Sequence, residues 1–189
     1  TLISTIPEDD IQPFLTLDVS RAAYRMADEG HSIIHMEFGQ PSTGAPRAAI
    51  AAAHRVLDSD PMGYWESVPL KARLSRHYEE TYGLDIAAER FILTCGASPA
   101  LVLALTAAFR PGARIALARP GYVAYRNTIR ALGMVPLEIP CGVEARFQLS
   151  AAALSALDPA PDGVIVASPA NPTGTILPEA ELRAIAGVC

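Results

Sequence analysis

The sequence predicts an α/β fold, three layers deep, with helices on both sides of a mainly parallel sheet. Two observations carry this. From residue 91 onward, compact apolar runs of strand length alternate with helical runs of about ten residues. Glycines and prolines punctuate that alternation where a helix or strand must stop. In a sheet of this kind, ligands sit at the carboxyl ends of the strands.

Taken in order, residues 1–13 read as an extended arm, broken by Pro7 and Pro13. Asp18 can cap a helix running to Glu29, with Val19, Ala22, Ala23 and Met26 as its apolar stripe and Gly30 as its stop. Ile33 to Phe38 reads as a short strand, closed by the loop Gly39-Gln40-Pro41-Ser42-Thr43-Gly44. Pro46 stands near the first turn of a helix continuing to about Leu57. Pro69 to Tyr82 reads as a helix stopped by Gly83, because Leu70, Leu74 and Tyr78 recur every fourth position. Phe91 to Cys95 is then a compact apolar strand, and Pro99 to Phe109 a helix ended by Pro111-Gly112. Arg114 to Ala118 is a strand, Tyr122 to Leu132 a helix stopped by Gly133, and Val135 to Ile139 a strand. Ser150 caps a helix to about Leu157, Gly163 to Ala167 is a buried strand, and Pro178 opens a last helix. No strand follows that helix, so it is either a true C-terminal helix or a crossover whose next strand lies beyond Cys189.

Composition narrows the function. The chain has 189 residues, half of them hydrophobic, and a net charge of -5. That suits one globular domain, or a domain with a flanking arm. Mild acidity without a clustered basic face argues against nucleic acid. The longest apolar candidate, Ala97 to Phe109, is too short for a membrane and reads as a buried helix. The N-terminus has neither a basic nor an apolar segment of secretory type. Cys95, Cys141 and Cys189 are odd in number and lack metal-ligand spacing, which points to a reducing cytoplasm. Lys71 is the single lysine.

Three strand-to-helix turns carry candidate chemistry. Thr94-Cys95-Gly96-Ala97-Ser98-Pro99 places small residues at a helix N-terminus, where unpaired amides and the Ser98 hydroxyl can hold an anion such as phosphate. Arg119-Pro120-Gly121-Tyr122 puts an aromatic ring at the same sheet edge, where it could stack on a flat heterocycle. Asn171-Pro172-Thr173-Gly174, with Pro169 and Pro172 able to adopt cis bonds, holds an amide that can donate to a phenolate or carboxylate. Read singly, each has an ordinary structural explanation: a capped turn, a packed tyrosine, an Asx turn. Together they fit a flat aromatic phosphate ester with a phenolic oxygen.

With those turns in place, the chain resembles the class I/II aminotransferases, pyridoxal-phosphate enzymes of fold type I. The Asn-Pro-Thr-Gly turn is the most specific element of the resemblance. The resemblance implies that Gly96, Ala97 and Ser98 contact the cofactor phosphate and that Tyr122 stacks on the pyridine ring. It implies that Asn171 bonds the ring's 3-oxygen and touches the substrate carboxylate, and that Gly39 approaches that carboxylate. Met62-Gly63-Tyr64 resembles a segment that crosses a dimer, with Tyr64 reaching the partner's cofactor phosphate. By the same resemblance, residues 1–38 are an arm and small-domain segment, and residues 39–189 are the first part of the large cofactor-binding domain, incomplete at its C-terminus. The expected activity is transfer of an amino group between an amino acid and a 2-oxo acid, in a cytoplasmic homodimer without nucleic-acid or membrane partners.

The sequence departs from the family in two places. Trp65 to Lys71 is shorter than the family's equivalent and carries lysine where arginine is usual. The family's ring-nitrogen aspartate, Schiff-base lysine and carboxylate-binding arginine follow the Asn-Pro-Thr-Gly turn, whereas Asp162 is the last aspartate here and Lys71 precedes most of the motifs, as a solvated charge on a surface helix. The expectation is a chain cut before its catalytic lysine and inactive alone. The alternatives are a decarboxylase, C–S lyase or synthase of the same fold, or a non-catalytic module. An unrelated nucleotide-binding domain lacks its glycine-rich signature.

Overall fold

A computed structural model of the chain describes residue 11, residues 15–39 and residues 41–189. The expected arm therefore lies outside the described residues, apart from Ile11, and so does Gln40 of the Gly39 loop. The described residues form two compact units, Leu15–Leu93 and Thr94–Cys189.

The first unit is helical. α1 spans Leu15–Asp28, α2 Arg47–Ser59 and α3 Val68–Tyr82, followed by a 3-10 turn at Ala88–Arg90. α1 begins three residues before Asp18, so Asp18 lies in its first turn and pairs with Arg21 at 3.0 Å instead of capping. Gly30 and Gly83 stop α1 and α3 as expected, at φ 92° and 66°, a region glycine reaches without steric cost.

Two expected strands are absent. Residues 33–38 and 91–95 are coil, because neither has a neighbouring strand among the described residues to accept its ladder bonds. Side chains hold the first of them instead. The Glu37 carboxylate accepts from His35 Nδ1 at 2.8 Å and from the buried Ser20 of α1, and the Tyr24 ring lies 4.9 Å from that of His35. The hydrogen bond from His35 draws the Glu37 carboxyl below its ordinary value.

The second unit is the layered one. Its elements run α4 (Ala97–Ala108), β1 (Arg114–Arg119), α5 (Val123–Ala131), β2 (Val135–Pro140), α6 (Ala151–Ser155), β3 (Gly163–Ile165) and α7 (Glu179–Val188). The strands form a parallel sheet in the order β2-β1-β3, with Ala116 opposite both Leu137 and Val164. Side chains of β1 alternate between faces, as the period of a strand requires. Ile115 and Leu117 pack with Leu105 of α4, Ile129 of α5 and Met134. Ala116 packs with Leu154 of α6, Ile185 of α7, Leu149 and Leu177. The predicted three layers are thus present: α4 and α5 on one side, α6 and α7 on the other. β3 ends at Ile165, two residues before the expected end, and the Ala167 carbonyl is taken by a side chain, Gln148.

Candidate functional site

The carboxyl ends of β1 and β3 open into a shallow cleft. The turn after β1 contributes Pro120, Gly121 and Tyr122; the loop after β3 contributes Ala170 and Asn171; Gln148 and Leu149 belong to its wall. Two of the sequence-predicted residues, Tyr122 and Asn171, therefore share one cavity.

Local structure explains how Tyr122 reaches it. The chain must leave β1 and start α5 within three residues. Gly121 makes that possible: a Cβ there would stand 2.5 Å from the Ala118 carbonyl oxygen, so only glycine fits the close approach. Tyr122 is the residue preceding α5, half-buried, its ring edge-on to Tyr125 with centroids 5.4 Å apart and planes at 88°. That contact fixes the ring's attitude and is a favourable aromatic geometry.

Asn171 sits at the exposed rim of the cleft, on a loop closed by its own hydrogen bonds. The Ala170 N–H donates to the Thr175 carbonyl at 2.9 Å, and the Gly174 N–H to the Ala170 carbonyl at 2.7 Å. The Leu177 N–H donates to Ser168 Oγ at 3.0 Å. Both X-Pro bonds singled out in the sequence, Ser168–Pro169 and Asn171–Pro172, are cis, and Gly174 takes φ 68°.

Gly96, Ala97 and Ser98 form the start of α4 and are exposed. Gly96, at φ 107°, is the residue before the helix, and no side chain caps it; Ala97 and Ser98 are already helical, so Ser98 is not the cap. The Thr94 hydroxyl donates to the Gly96 carbonyl at 2.7 Å, shaping the turn while leaving the helix amides open. These three residues are not in the wall of the Tyr122–Asn171 cleft. Gly39 and Tyr64 belong to the Leu15–Leu93 unit, both exposed, Tyr64 fully so. Lys71 differs from its sequence expectation. Its side chain is only 14% exposed and pairs with Glu66, whose carboxyl is drawn below its ordinary value by that hydrogen bond.

Sequence reasoning missed Gln148 and Tyr125. The available signal for Gln148 was a polar residue between Phe147 and Leu149 just ahead of the cap Ser150, which does accept from the Ala153 N–H at 3.1 Å. Among the described residues no cluster of histidine, cysteine or carboxylates could hold a metal ion, and no helix is long and apolar enough to cross a membrane.

Comparison with known proteins follows the same line. A family model described as aminotransferase class I and II matches residues 31–189. The valine–pyruvate aminotransferase of Mycobacterium tuberculosis is 40% identical over 182 residues, covering 95% of this chain and 47% of that protein. A solved aminotransferase from the same organism superposes with a TM-score of 0.91 at 40% identity, over 95% of this chain and 47% of that one. Thermus thermophilus aspartate aminotransferase, solved with maleate, gives a TM-score of 0.86 at 26% identity, over 94% and 48%. The chain thus spans just under half the length of the relatives it matches.

Proposed function

This chain belongs to the class I and II aminotransferases, and from that premise we propose that it is the cofactor-cradling part of an enzyme that moves an amino group between an amino acid and a 2-oxo acid. The observation that carries the reading is the shared cleft of Tyr122 and Asn171 at the strand ends. Pyridoxal phosphate fits the donor set: a ring platform, an amide donor and uncapped helix amides for a phosphate, all within the Thr94–Cys189 unit.

Bound there, the cofactor supplies an electron sink for the substrate's α-carbon. The chain's own residues bind and orient. The Tyr122 ring, held edge-on by Tyr125, supports one face of the pyridine. The Asn171 amide donates to the 3-oxygen and, on its rim, reaches a substrate carboxylate. The amides of Gly96, Ala97 and Ser98 meet the phosphate, favoured by the partial positive charge of the α4 N-terminus. Gly39 approaches the substrate carboxylate in the same reading. Lys71 moves no proton, since its ammonium is committed to Glu66.

The proposal extends to the assembly. Tyr64, fully exposed on the loop that carries Met62 and Trp65, reaches the partner's cofactor phosphate in a homodimer. In the same reading, residues 1–38 are assigned to an arm and small-domain segment and residues 39–189 to the cofactor domain. Three unpaired cysteines suit a reducing cytoplasm. The M. tuberculosis relative is named for valine and pyruvate, which makes those the first substrates to assay.

Titration of the full-length protein with pyridoxal phosphate, followed by visible absorbance, tests the reading. Asn171→Ala is expected to weaken binding by about tenfold or more, the loss of one hydrogen bond to a charged oxygen. The 189-residue chain alone is expected to show no transamination. Full binding by the variant, or turnover by the short chain, would overturn the assignment.

A further inference from the structure

Gln148 is 6% exposed and belongs to the cleft wall. Its Nε2 donates to the Thr175 carbonyl at 2.7 Å and lies 3.2 Å from Thr175 Oγ1 and 3.3 Å from the Ala167 carbonyl. Those acceptors straddle Asn171: Ala167 precedes the loop and Thr175 closes it by accepting from Ala170. One buried amide therefore ties both ends of the segment that carries Asn171. A buried polar group is costly without its partners, so the loop and the amide constrain each other.

The approach to Gln148 is itself unusual. The two residues before it, Arg146 and Phe147, both take left-handed backbone at φ 51° and 58°. Non-glycine residues rarely do so, and a consecutive pair persists only where the surroundings over-determine it. The turn is closed by Phe147 N–H to Gly142 O and Gln148 N–H to Ala145 O, each at 3.0 Å. Its product is the delivery of the Gln148 amide beneath the Asn171 loop.

We propose that Gln148 is a positioning residue that sets where the Asn171 amide stands in the cleft. Its amide is engaged by Thr175 and Ala167, so it acts through Asn171; the inference rests on the cofactor reading given above. Two measurements on the full-length protein test it. The first is amide hydrogen exchange without cofactor, comparing the parent with Gln148→Met, which keeps length but loses the donor. Exchange across residues 168–177 is expected to quicken about tenfold while β1 and α5 change little. Uniform acceleration throughout the Thr94–Cys189 unit, or no change, would overturn the proposal.

The second is a double-mutant cycle on pyridoxal-phosphate affinity. Gln148→Met and Asn171→Ala are each expected to weaken binding about tenfold, and the double variant no further than the worse single one. Additive losses would show that Gln148 acts independently of Asn171. If Gln148→Met does not fold, Gln148→Glu replaces it. Its carboxylate opposes carbonyl oxygens at neutral pH but donates once protonated, so affinity is expected to recover on acidification. An unchanged pH profile would count against the proposal. If the parent itself binds no cofactor, the functional reading falls, while the exchange experiment still decides the role of Gln148 in holding the loop.

Discussion

Three thiols in one chain meet different surroundings. Cys141 is 4% exposed, packed with Ala116, Leu149 and Leu177, and its Sγ–H donates to the Ile139 carbonyl at 3.3 Å. Burial pushes its pKa up, with a smaller push from the charge of Glu144, against a downward pull from the backbone hydrogen bond with Arg119. Cys95 and Cys189 are exposed. A thiol reagent at neutral pH is expected to titrate two groups in the folded chain and the third only on unfolding. Three equally fast groups would mean that the α6–α7 side of the sheet is not packed. Because the folded thiol's pKa is raised, its contribution to stability is full below the ordinary thiol range and fades as the pH climbs through the raised value. Glu37 behaves in the opposite sense: with its carboxyl lowered by His35, its contribution is present at neutral pH and lost on acidification.

At the scale of elements, the turn from β1 to α5 is the tightest junction near the cleft. Gly121→Ala is expected to cost about 1–3 kcal/mol, since the obstructing atom is a backbone carbonyl that cannot swing aside. Urea unfolding of the variant against the parent measures it, and equal midpoints would show that the turn has slack. Most elements of the layered unit were legible in the sequence, from apolar runs and their glycine and proline stops. The strands expected at 33–38 and 91–95 were not, because a strand depends on a neighbour, and the neighbour is no property of the segment itself. The places of Tyr122 and Asn171 in one cleft were legible because each lies on the segment that leaves the carboxyl end of a strand. Gln148 was not: its partners lie 19 and 27 residues away, and that distance is closed only by a turn with two strained residues.

Over the whole molecule, apolar side chains remain uncovered. Met62, Tyr64 and Trp65 are 66%, 109% and 71% exposed, and Leu103 of α4 is 53% exposed. Exposed apolar side chains grouped on one loop, as Met62, Tyr64 and Trp65 are, mark association sites. Light scattering is expected to find the purified protein as a dimer or larger, and a monodisperse monomer would remove the role given to Tyr64. A last consequence lies at the far end of the sheet from the cleft. Gly163, the first residue of β3, has no room for a Cβ because the Phe109 ring, just past the end of α4, covers it. That ring works as a peg in a socket. It pins the rear of the twelve-residue helix whose front carries Gly96, Ala97 and Ser98. A methyl group in that socket would press on the ring, so Gly163→Ala is expected to push Phe109 away from β3 and loosen this end of the layer.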